Sequence, residues 1–300
     1  MKIGITGASG LIGTALGRLA VAHGHEVIAF TRDPARARLE WASQVRPADM
    51  GAAMPLDASG LDALVNLAGE SILGRWTEAK KKRIRESRVE FTQKLTRCIA
   101  AASPRPMVFL SGSAVGFYGD RGDETLLETA APGDGFLAQV CVDWEAAALR
   151  AEQLGVRVVL LRTGVVLGAE GGAFKLMRKA FAACLGGRLG SGRQWMPWVH
   201  LQDEARMILW AAEQPAVSGP LNVVAPGGVT NEEFTRALAR VLHRPAFMHV
   251  PAFALKCLLG EAAAMVLDGQ HVIPGKAMDH GFQFDHPELE EALEALVAAA

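Results

Sequence analysis

The sequence predicts an α/β fold in which a doubly wound parallel sheet carries a smaller, mostly helical lobe on its substrate side. Two observations indicate this fold. A glycine-rich turn joins the first strand to the first helix, and apolar strands then alternate with helical patterns along the chain. Such alternation is typical of a parallel sheet with right-handed crossovers. The chain has 300 residues, 50% of them hydrophobic, which suffices for one large domain or for one domain with a smaller lobe.

The turn after the first strand has the composition of a dinucleotide site. An apolar strand at residues 2–6 precedes it, and a helical pattern follows it. The glycines are spaced Gly-x-x-Gly-x-x-Gly, and the predicted cofactor contacts are Gly7, Ser9, Gly10, Leu11, Ile12 and Gly13. Glycines let backbone N–H groups approach a pyrophosphate, and the helix N-terminus adds unpaired donors. A purely structural turn is the alternative, but three glycines would then weaken the fold with no gain.

The residues after the second strand indicate which cofactor binds. Thr31, Arg32 and Asp33 stand there, and Arg36 and Arg38 follow. An acidic residue at this point would bind the ribose hydroxyls of NAD, whereas an arginine would pair with the 2′-phosphate of NADP. Because Arg32 comes first, we predict NADP(H), with Thr31 and Arg32 among its contacts. In the alternative, Asp33 binds the ribose and Arg32 is a solvated charge.

A third strand and a long basic helix add further candidate contacts. The strand is predicted over residues 61–67 and leads into a turn of small residues, Leu67, Ala68 and Gly69. An open α/β sheet binds its ligand at such a carboxyl end. The helix is predicted over residues 77–102 and starts beside this turn. Most of its charges would be solvated, but at least one is expected to face the cofactor.

The segment after the fourth strand carries the candidate catalytic groups. That strand is predicted over residues 107–110, and a loop with Ser113 and Tyr118, the only tyrosine in the chain, follows it. In the first hypothesis Tyr118 donates a proton to the substrate and Ser113 orients a carbonyl. In the alternative the Tyr118 hydroxyl only supports the loop. Glu70 and His200 are weaker acid/base candidates, and His200 is alternatively a hydrogen-bonded core residue.

The remaining elements complete the sheet and define the second lobe. A helix and two strands are predicted, in that order, at residues 136–153, 157–162 and 220–224. Gly/Arg-rich loops at about 169–198, and helices that begin after a capping box at Thr230, lie outside the strand–helix repeat. We therefore predict a Rossmann domain at residues 1–229, with an excursion at about 169–198 to the second lobe, and a C-terminal helical lobe at residues 230–300.

Composition argues against several other classes of protein. The net charge is −1, so no basic excess indicates binding to nucleic acid or to a membrane surface. Four scattered cysteines without a Cys-x-x-Cys pattern predict buried, reduced thiols in a cytoplasmic protein, and the histidines show no metal-ligand spacing. We expect no signal peptide, because the first strand starts at residue 2, and no membrane span.

Taken together, these motifs resemble a known family. Their order along the chain is the glycine turn, residues 66–69, the Ser113/Tyr118 loop, residues 162–164, and Val199-His200-x-x-Asp203. This order resembles extended short-chain dehydrogenase/reductases of the NAD-dependent epimerase/dehydratase group. Over nearly the whole chain it is similar to the atypical epimerase family proteins of short-chain dehydrogenase family 39U. Shared strings include residues 66–70, 75–77, 87–88, 143–145 and 164–168, and Pro274 with Gly281 and Phe282.

The resemblance implies a fold and a cofactor more firmly than a reaction. Members of the family bind NADP(H), and their substrate is generally unassigned. Carried over to this chain, the implied cofactor contacts are the glycine turn, Arg32, Leu67, Ala68, Arg88 and Thr163.

One departure from the wider superfamily bears on catalysis. Working members carry Tyr-x-x-x-Lys on the helix after the serine loop, and this pair exchanges a proton with the substrate hydroxyl. When the motif is counted back from Glu145, its tyrosine position holds Leu137 and its lysine position holds Cys141. Neither side chain can do that work. A second hypothesis is therefore a non-catalytic NADP(H)-binding protein that senses redox state or binds a partner. The substrate, the reaction direction and the oligomeric state stay open.

Overall fold

The computed structural model describes residues 1–34, 39–49 and 51–298 of the protein. Arg36 and Arg38, which follow Arg32 in the sequence, lie outside these residues. The strands are β1 (Lys2–Thr6), β2 (Glu26–Thr31), β3 (Gln44–Pro47), β4 (Ala63–Asn66), β5 (Val108–Ala114), β6 (Thr125–Leu126), β7 (Arg157–Thr163), β8 (Val165–Gly168), β9 (Gly187–Leu189), β10 (Trp195–Met196), β11 (Trp198–His200), β12 (Gly219–Val223), β13 (Val229–Thr230), β14 (Met248–Val250) and β15 (His271–Val272).

The helices of the described residues fall into two groups. Those that flank the sheet are α1 (Leu11–Ala22), α2 (Glu78–Arg85), α3 (Phe91–Ala101), α4 (Phe136–Leu149) and α6 (Leu201–Glu213). The others are α5 (Gly172–Ala182), α7 (Asn231–Val241), α8 (Ala252–Leu259), α9 (Ala264–Leu267), α10 (Gly275–Asp279) and α11 (Leu289–Ala298). A π-helical turn, Glu86–Glu90, joins α2 to α3, so the helix predicted over residues 77–102 is continuous but locally widened.

Seven parallel strands form the central sheet, in the order β12-β7-β5-β4-β1-β2-β3. The chain starts in the middle, moves to the β3 edge, and then crosses back to β4 on the other side of β1. This reversal creates the switch point at which doubly wound sheets bind ligands. The predicted doubly wound α/β fold is therefore confirmed. Its seventh strand, β3, lies in a segment where the sequence predicts no element.

Apolar residues cover both faces of the sheet. On one face, Ile3 and Leu161 pack with α1 and α6, and on the other, Phe109 and Leu160 pack with α3 and α4. Successive residues of a strand face opposite sides, so neighbours such as Leu160 and Leu161 belong to different layers. Each polar side chain at a strand end can therefore be assigned to one layer.

A separate apolar cluster builds the second lobe. It joins Phe174 and Phe181 of α5 to Phe234 of α7 and to Leu293 of α11. Residues of the predicted excursion thus pack with the C-terminal helices. The boundary at residues 229 and 230 stays a prediction. The predicted capping box is present, since the Thr230 hydroxyl accepts from the Glu233 amide while the Glu233 carboxylate accepts from the Thr230 amide. No helix within the described ranges is both long and apolar enough to span a membrane.

Candidate functional site

A cleft of about 270 Å³ opens at the carboxyl ends of β1, β2 and β4, at the switch point of the sheet. Eight of the predicted cofactor residues line it: Gly7, Ser9, Gly10, Thr31, Arg32, Leu67, Ala68 and Gly69. The cleft is also lined by residues that the sequence did not indicate, among them Phe30, Ala48, Ser87 and Phe91. Ala48 lies just beyond β3, so no pattern in the sequence could have placed it there.

The glycine turn is folded so tightly that side chains would not fit. Gly7 has φ +71°, and a Cβ on it would lie 2.6 Å from the Leu67 carbonyl oxygen. A Cβ on Gly13 would lie 2.3 Å from the Gly7 carbonyl oxygen. The glycines thus let the turn pack against Leu67, just after β4, and against the first turn of α1. Gly10 is the N-cap of α1 and offers no side-chain acceptor to the first amides of the helix, an arrangement that suits an anionic group such as a pyrophosphate.

Polar residues line the cleft at the end of β2. Arg32 is exposed there and lines the cleft together with Thr31 and Ser9. The Asp33 amide donates to the Thr31 hydroxyl at 3.4 Å, and Asp33 is not among the described residues that line the cleft. Arg32 thus lines the cleft as predicted, while the choice between Arg32 and Asp33 as the contact to the ribose stays a prediction.

Arg88 reaches the same small-residue turn from the basic helix. The π-helical turn carries Arg88, whose Nη1 donates to the Glu70 carbonyl oxygen at 2.9 Å. Its guanidinium carbon would lie 3.3 Å from a Cβ on Gly69, and it sits 5.4 Å from the centre of the Trp144 ring. Burial lowers the pKa of this guanidinium. Arg88 is thus held against the turn, beside the described lining of the cleft rather than within it.

The other implied contacts lie around the start of α1 and the end of β7. Leu11 and Ile12 are half-buried, and Leu11 packs close to Gly168 and Gly172. Thr163 is the last residue of β7, and its Oγ1 donates to the Glu204 carboxyl at 3.0 Å. The structure does not place these side chains in the cleft.

Ser113 and Tyr118 belong to a buried polar network. Ser113 lies in β5 rather than in the predicted loop, and its hydroxyl donates to Glu145 Oε1 at 2.6 Å. Arg162 of β7 pairs with both carboxylate oxygens of Glu145, each at 2.9 Å. The Tyr118 hydroxyl is buried, donates to Asn222 Oδ1 at 2.6 Å, and accepts from Arg162 Nη1 at 3.0 Å. These contacts match the supporting role that was the alternative for Tyr118.

The weaker acid/base candidates differ in accessibility. Glu70 lines the cleft, and a hydrogen bond from Lys80 at 2.8 Å lowers the pKa of its carboxyl. His200 is buried at the start of α6, where its Nδ1 accepts from the Gln202 amide at 3.2 Å. Burial, followed by the neighbouring His286, lowers the pKa of His200 to about 4, so its imidazole is neutral near neutral pH. His200 therefore fits the core-residue alternative.

The two positions that replace the Tyr-x-x-x-Lys pair are apolar. Leu137 packs with Trp76, Ile84 and Val140 in one cluster. Cys141 is buried, and burial raises the pKa of its thiol to about 12. Neither can exchange a proton with a ligand near neutral pH. Within the described part of the chain, no group of three or more His, Cys, Asp or Glu could hold a metal ion.

A parallel sheet with a glycine turn at its switch point defines a protein of the dinucleotide-binding Rossmann class. Residues 3–225 match the NAD dependent epimerase/dehydratase family, and residues 250–296 match a domain of unknown function, DUF1731. The chain belongs to the NAD dependent epimerase/dehydratase family, as its motifs predicted.

Individual relatives support this assignment over the full length. Epimerase family protein YfhF of Bacillus subtilis is 38% identical over 299 residues, which cover 99% of this chain and 98% of the relative. Human epimerase family protein SDR39U1 is 39% identical over 306 residues, which cover 99% of this chain and all of the relative. A crystal structure of the human protein (isoform 2) with NADPH superposes with a TM-score of 0.90 at 36% identity and covers 100% of both chains.

Proposed function

We propose that this chain is an NADP(H)-binding, epimerase-like oxidoreductase that acts on a small molecule. The observation that carries the proposal is the position of Arg32, which lines the same cleft as the glycine turn. A guanidinium at this point can pair with a 2′-phosphate, whereas a carboxylate there would favour NAD. The relative crystallised with NADPH supports this choice of cofactor.

The residues of the cleft fit such a cofactor. The amides at the start of α1 and the turn at Gly7 would hold the pyrophosphate, and Leu67, Ala68 and Gly69 would lie against the sugar and base. When bound, the nicotinamide supplies hydride transfer. We propose that Ser113 and Tyr118 stabilise the carboxyl ends of the strands and do not react with the substrate, since each hydroxyl already donates to a protein acceptor. The leading acid/base candidate is then Glu70 with Lys80, because Glu70 lines the cleft.

Titration of both cofactors, followed by quenching of intrinsic tryptophan fluorescence, tests this proposal. Wild type should bind NADPH well ahead of NADH. Arg32→Ala should weaken NADPH binding about 10- to 150-fold and leave NADH binding nearly unchanged, because one charge-assisted contact contributes roughly 1.5–3 kcal/mol. Arg18→Ala is the matched control, since Arg18 is an exposed arginine on α1 that does not line the cleft. Equal affinities in wild type would refute the assignment to NADP.

A second candidate is a non-catalytic NADP(H)-binding protein that senses redox state or binds a partner. It is favoured by Leu137 and Cys141, which leave the usual proton-exchange positions without a titrating group near neutral pH. Steady-state oxidation of NADPH across a panel of carbonyl compounds separates the two candidates. Turnover of any compound supports the oxidoreductase, whereas tight binding without hydride transfer to any of them supports the sensor.

A further inference from the structure

Glu204 is a buried carboxyl group just behind a proposed cofactor contact. It lies in the first turn of α6 and is 0% exposed. Its Oε1 accepts from Thr163 Oγ1 at 3.0 Å, and its Oε2 has no hydrogen-bond partner among the described residues. A carboxylate in such surroundings is strongly disfavoured relative to the neutral acid. Burial accordingly raises the pKa of Glu204 to about 8.

Thr163 connects this carboxyl group to the ligand-binding edge of the sheet. It ends β7 next to Ala114 of β5 and Val223 of β12, and its side chain is half-buried. A threonine hydroxyl carries one proton and two acceptor lone pairs. If Glu204 is ionised, its carboxylate accepts the Thr163 proton at 3.0 Å, in preference to the more distant Leu161 carbonyl oxygen at 3.4 Å. If Glu204 is protonated, its O–H can donate to Thr163, which can then donate to a bound ligand.

We propose that Glu204 is a proton-linked positioning residue for Thr163, so that protonation of Glu204 sets the direction of the Thr163 hydrogen bond and thereby the affinity for the nucleotide cofactor. This inference rests on the proposed function and adds to it that Thr163, which ends β7 at the carboxyl edge of the sheet outside the described cleft, meets the part of the cofactor that extends beyond the cleft.

Nearby charged groups are engaged elsewhere. Asp203, next in the chain, accepts from the His286 amide at 2.8 Å and pairs with Arg206 at 2.7 Å. The His200 ring lies against the His286 ring, with ring centres 3.9 Å apart and planes tilted by 42°, and His200 is neutral near neutral pH. Arg162 faces the opposite side of the sheet, where it pairs with Glu145. The helix α1 packs against α6 within an apolar cluster. A transition in binding on the alkaline side of neutrality is therefore assigned to Glu204.

NADPH binding measured from about pH 6.5 to about pH 9.5 tests the proposal. Wild type should bind NADPH roughly three- to tenfold more weakly at the alkaline end, the loss expected for one hydrogen bond. Glu204→Gln should remove this dependence, because glutamine has nearly the same size but does not ionise. The 2′-phosphate, with a second pKa of about 6, contributes little across this range.

Two variants separate positioning from a merely structural role. Thr163→Val should also flatten the pH profile, since it removes the hydroxyl through which Glu204 acts. An unchanged pH dependence in Glu204→Gln would overturn the proposal. Full wild-type dependence in Thr163→Val would overturn the positioning role of Glu204, because the coupling would then bypass Thr163.

Unfolding of the cofactor-free protein distinguishes failure of this inference from failure of the proposed function. The pKa of Glu204 is raised from 4.5 to about 8 by folding, so the folded state binds the proton more tightly. Stability conferred by that proton is complete below about pH 4.5 and is lost as the pH rises to about 8. The denaturation midpoint of wild type should therefore fall through this window relative to that of Glu204→Gln. If the denaturation midpoints of wild type and Glu204→Gln changed in the same way with pH, the titration of Glu204 would be refuted. If the protein bound no cofactor at any pH, only the proposed function would be refuted.

Discussion

Two regions at the same edge of the sheet use polar side chains in opposite ways. At the ends of β1 and β2, Ser9 and Arg32 are exposed and face a cleft. At the ends of β5 and β7, Ser113 and Arg162 are buried and bond to Glu145. The second region contains the residue types associated with catalysis, yet its hydrogen bonds are directed inward. Chemical type alone therefore does not make a residue available to a ligand.

The inward bonds of the second region have a structural purpose. Two buried charges are costly to desolvate, and the cost is offset only when their remaining donors and acceptors are satisfied. Arg162 makes two bonds to Glu145, one to Tyr118 and one to the Glu128 carbonyl oxygen. Asn222 extends the network to the C-terminal segment by donating to the Ile273 carbonyl oxygen at 2.9 Å. We call these side chains, Ser113, Glu145, Arg162, Tyr118 and Asn222, the buried network.

The reactivity of the cysteines offers the sharpest contrast between a closed and an open environment. Burial raises the pKa of Cys141, which packs beside the buried network, from 9.0 to about 12, so its thiolate fraction near pH 8 should be roughly a thousandfold below normal. The prediction that all four cysteines are buried is wrong for Cys184 and Cys257, which are exposed. Iodoacetamide should therefore modify these two in the native protein and leave Cys141 intact. Mass spectrometry of the alkylated peptides measures this, with Cys98 as a second buried thiol for control. Rapid alkylation of Cys141 would mean that the region of the buried network is open to solvent, and the contrast with the cleft would not hold.

Removing the acidic partner should show that the buried network holds the fold. Glu145→Ala leaves the Arg162 charge buried and unpaired, so it should lower the free energy of unfolding by about 3–5 kcal/mol. Arg240→Ala is the control, because the Arg240–Glu290 pair is largely exposed and is worth about 0–1 kcal/mol. Urea denaturation measures the loss of stability in both variants. If Glu145→Ala weakened NADPH binding strongly but left stability unchanged, the network would belong to the ligand site.

Elements with a strong apolar pattern were predictable, and those held by backbone pairing alone were not. The buried strands β1, β2 and β7 read as apolar runs in the sequence. By contrast β3 is an edge strand with no fully buried residue, so it carries no such run. The predicted fourth strand stopped at residue 110, whereas β5 continues to Ala114. Its last residues pair with β7 through backbone bonds that any side chain permits.

The cofactor cleft was largely predictable because its signals are local. Eight predicted contacts line it, and each lies in a short stretch at a strand end. The buried network depends instead on distant residues. Tyr118 and Asn222 are 104 positions apart, and nothing near either one indicates the other. Glu204 likewise meets Thr163 across 41 positions. Whether a hydroxyl faces a ligand or a distant amide is decided by packing, which local composition does not encode.

Two glycines of the same turn should separate folding from binding. Gly13→Ala places a methyl group 2.3 Å from the Gly7 carbonyl oxygen, so it should lower the free energy of unfolding by about 1–3 kcal/mol. In Gly10→Ala the added methyl group lies 3.2 Å from the same oxygen, so folding should be disturbed less. Because Gly10 lines the cleft, this substitution should instead weaken NADPH binding. Urea denaturation and cofactor titration of both variants test this. Equal losses of stability would show that the turn is less tightly packed than its geometry indicates.

The smallest effect is expected from the hydroxyl that first suggested catalysis. Tyr118→Phe removes the donor to Asn222 but leaves Arg162 bonded to Glu145, so unfolding should become easier by about 1–2 kcal/mol. Because burial raises the pKa of Tyr118, its hydroxyl stays protonated near neutral pH and its loss removes no charge. NADPH affinity should be unchanged, and so should the turnover of any substrate found.

A double-mutant cycle with Asn222→Leu decides between support and catalysis for Tyr118. If the two side chains act together in the buried network, their stability losses should fall short of additivity by roughly 1 kcal/mol, because either change alone already breaks the shared hydrogen bond. Turnover should follow the amount of folded protein in all three variants. A large loss of turnover in Tyr118→Phe, with stability and NADPH affinity intact, would mean that the hydroxyl leaves Asn222 to reach the substrate. The buried network would then be part of the active site, and the contrast with the cleft would disappear.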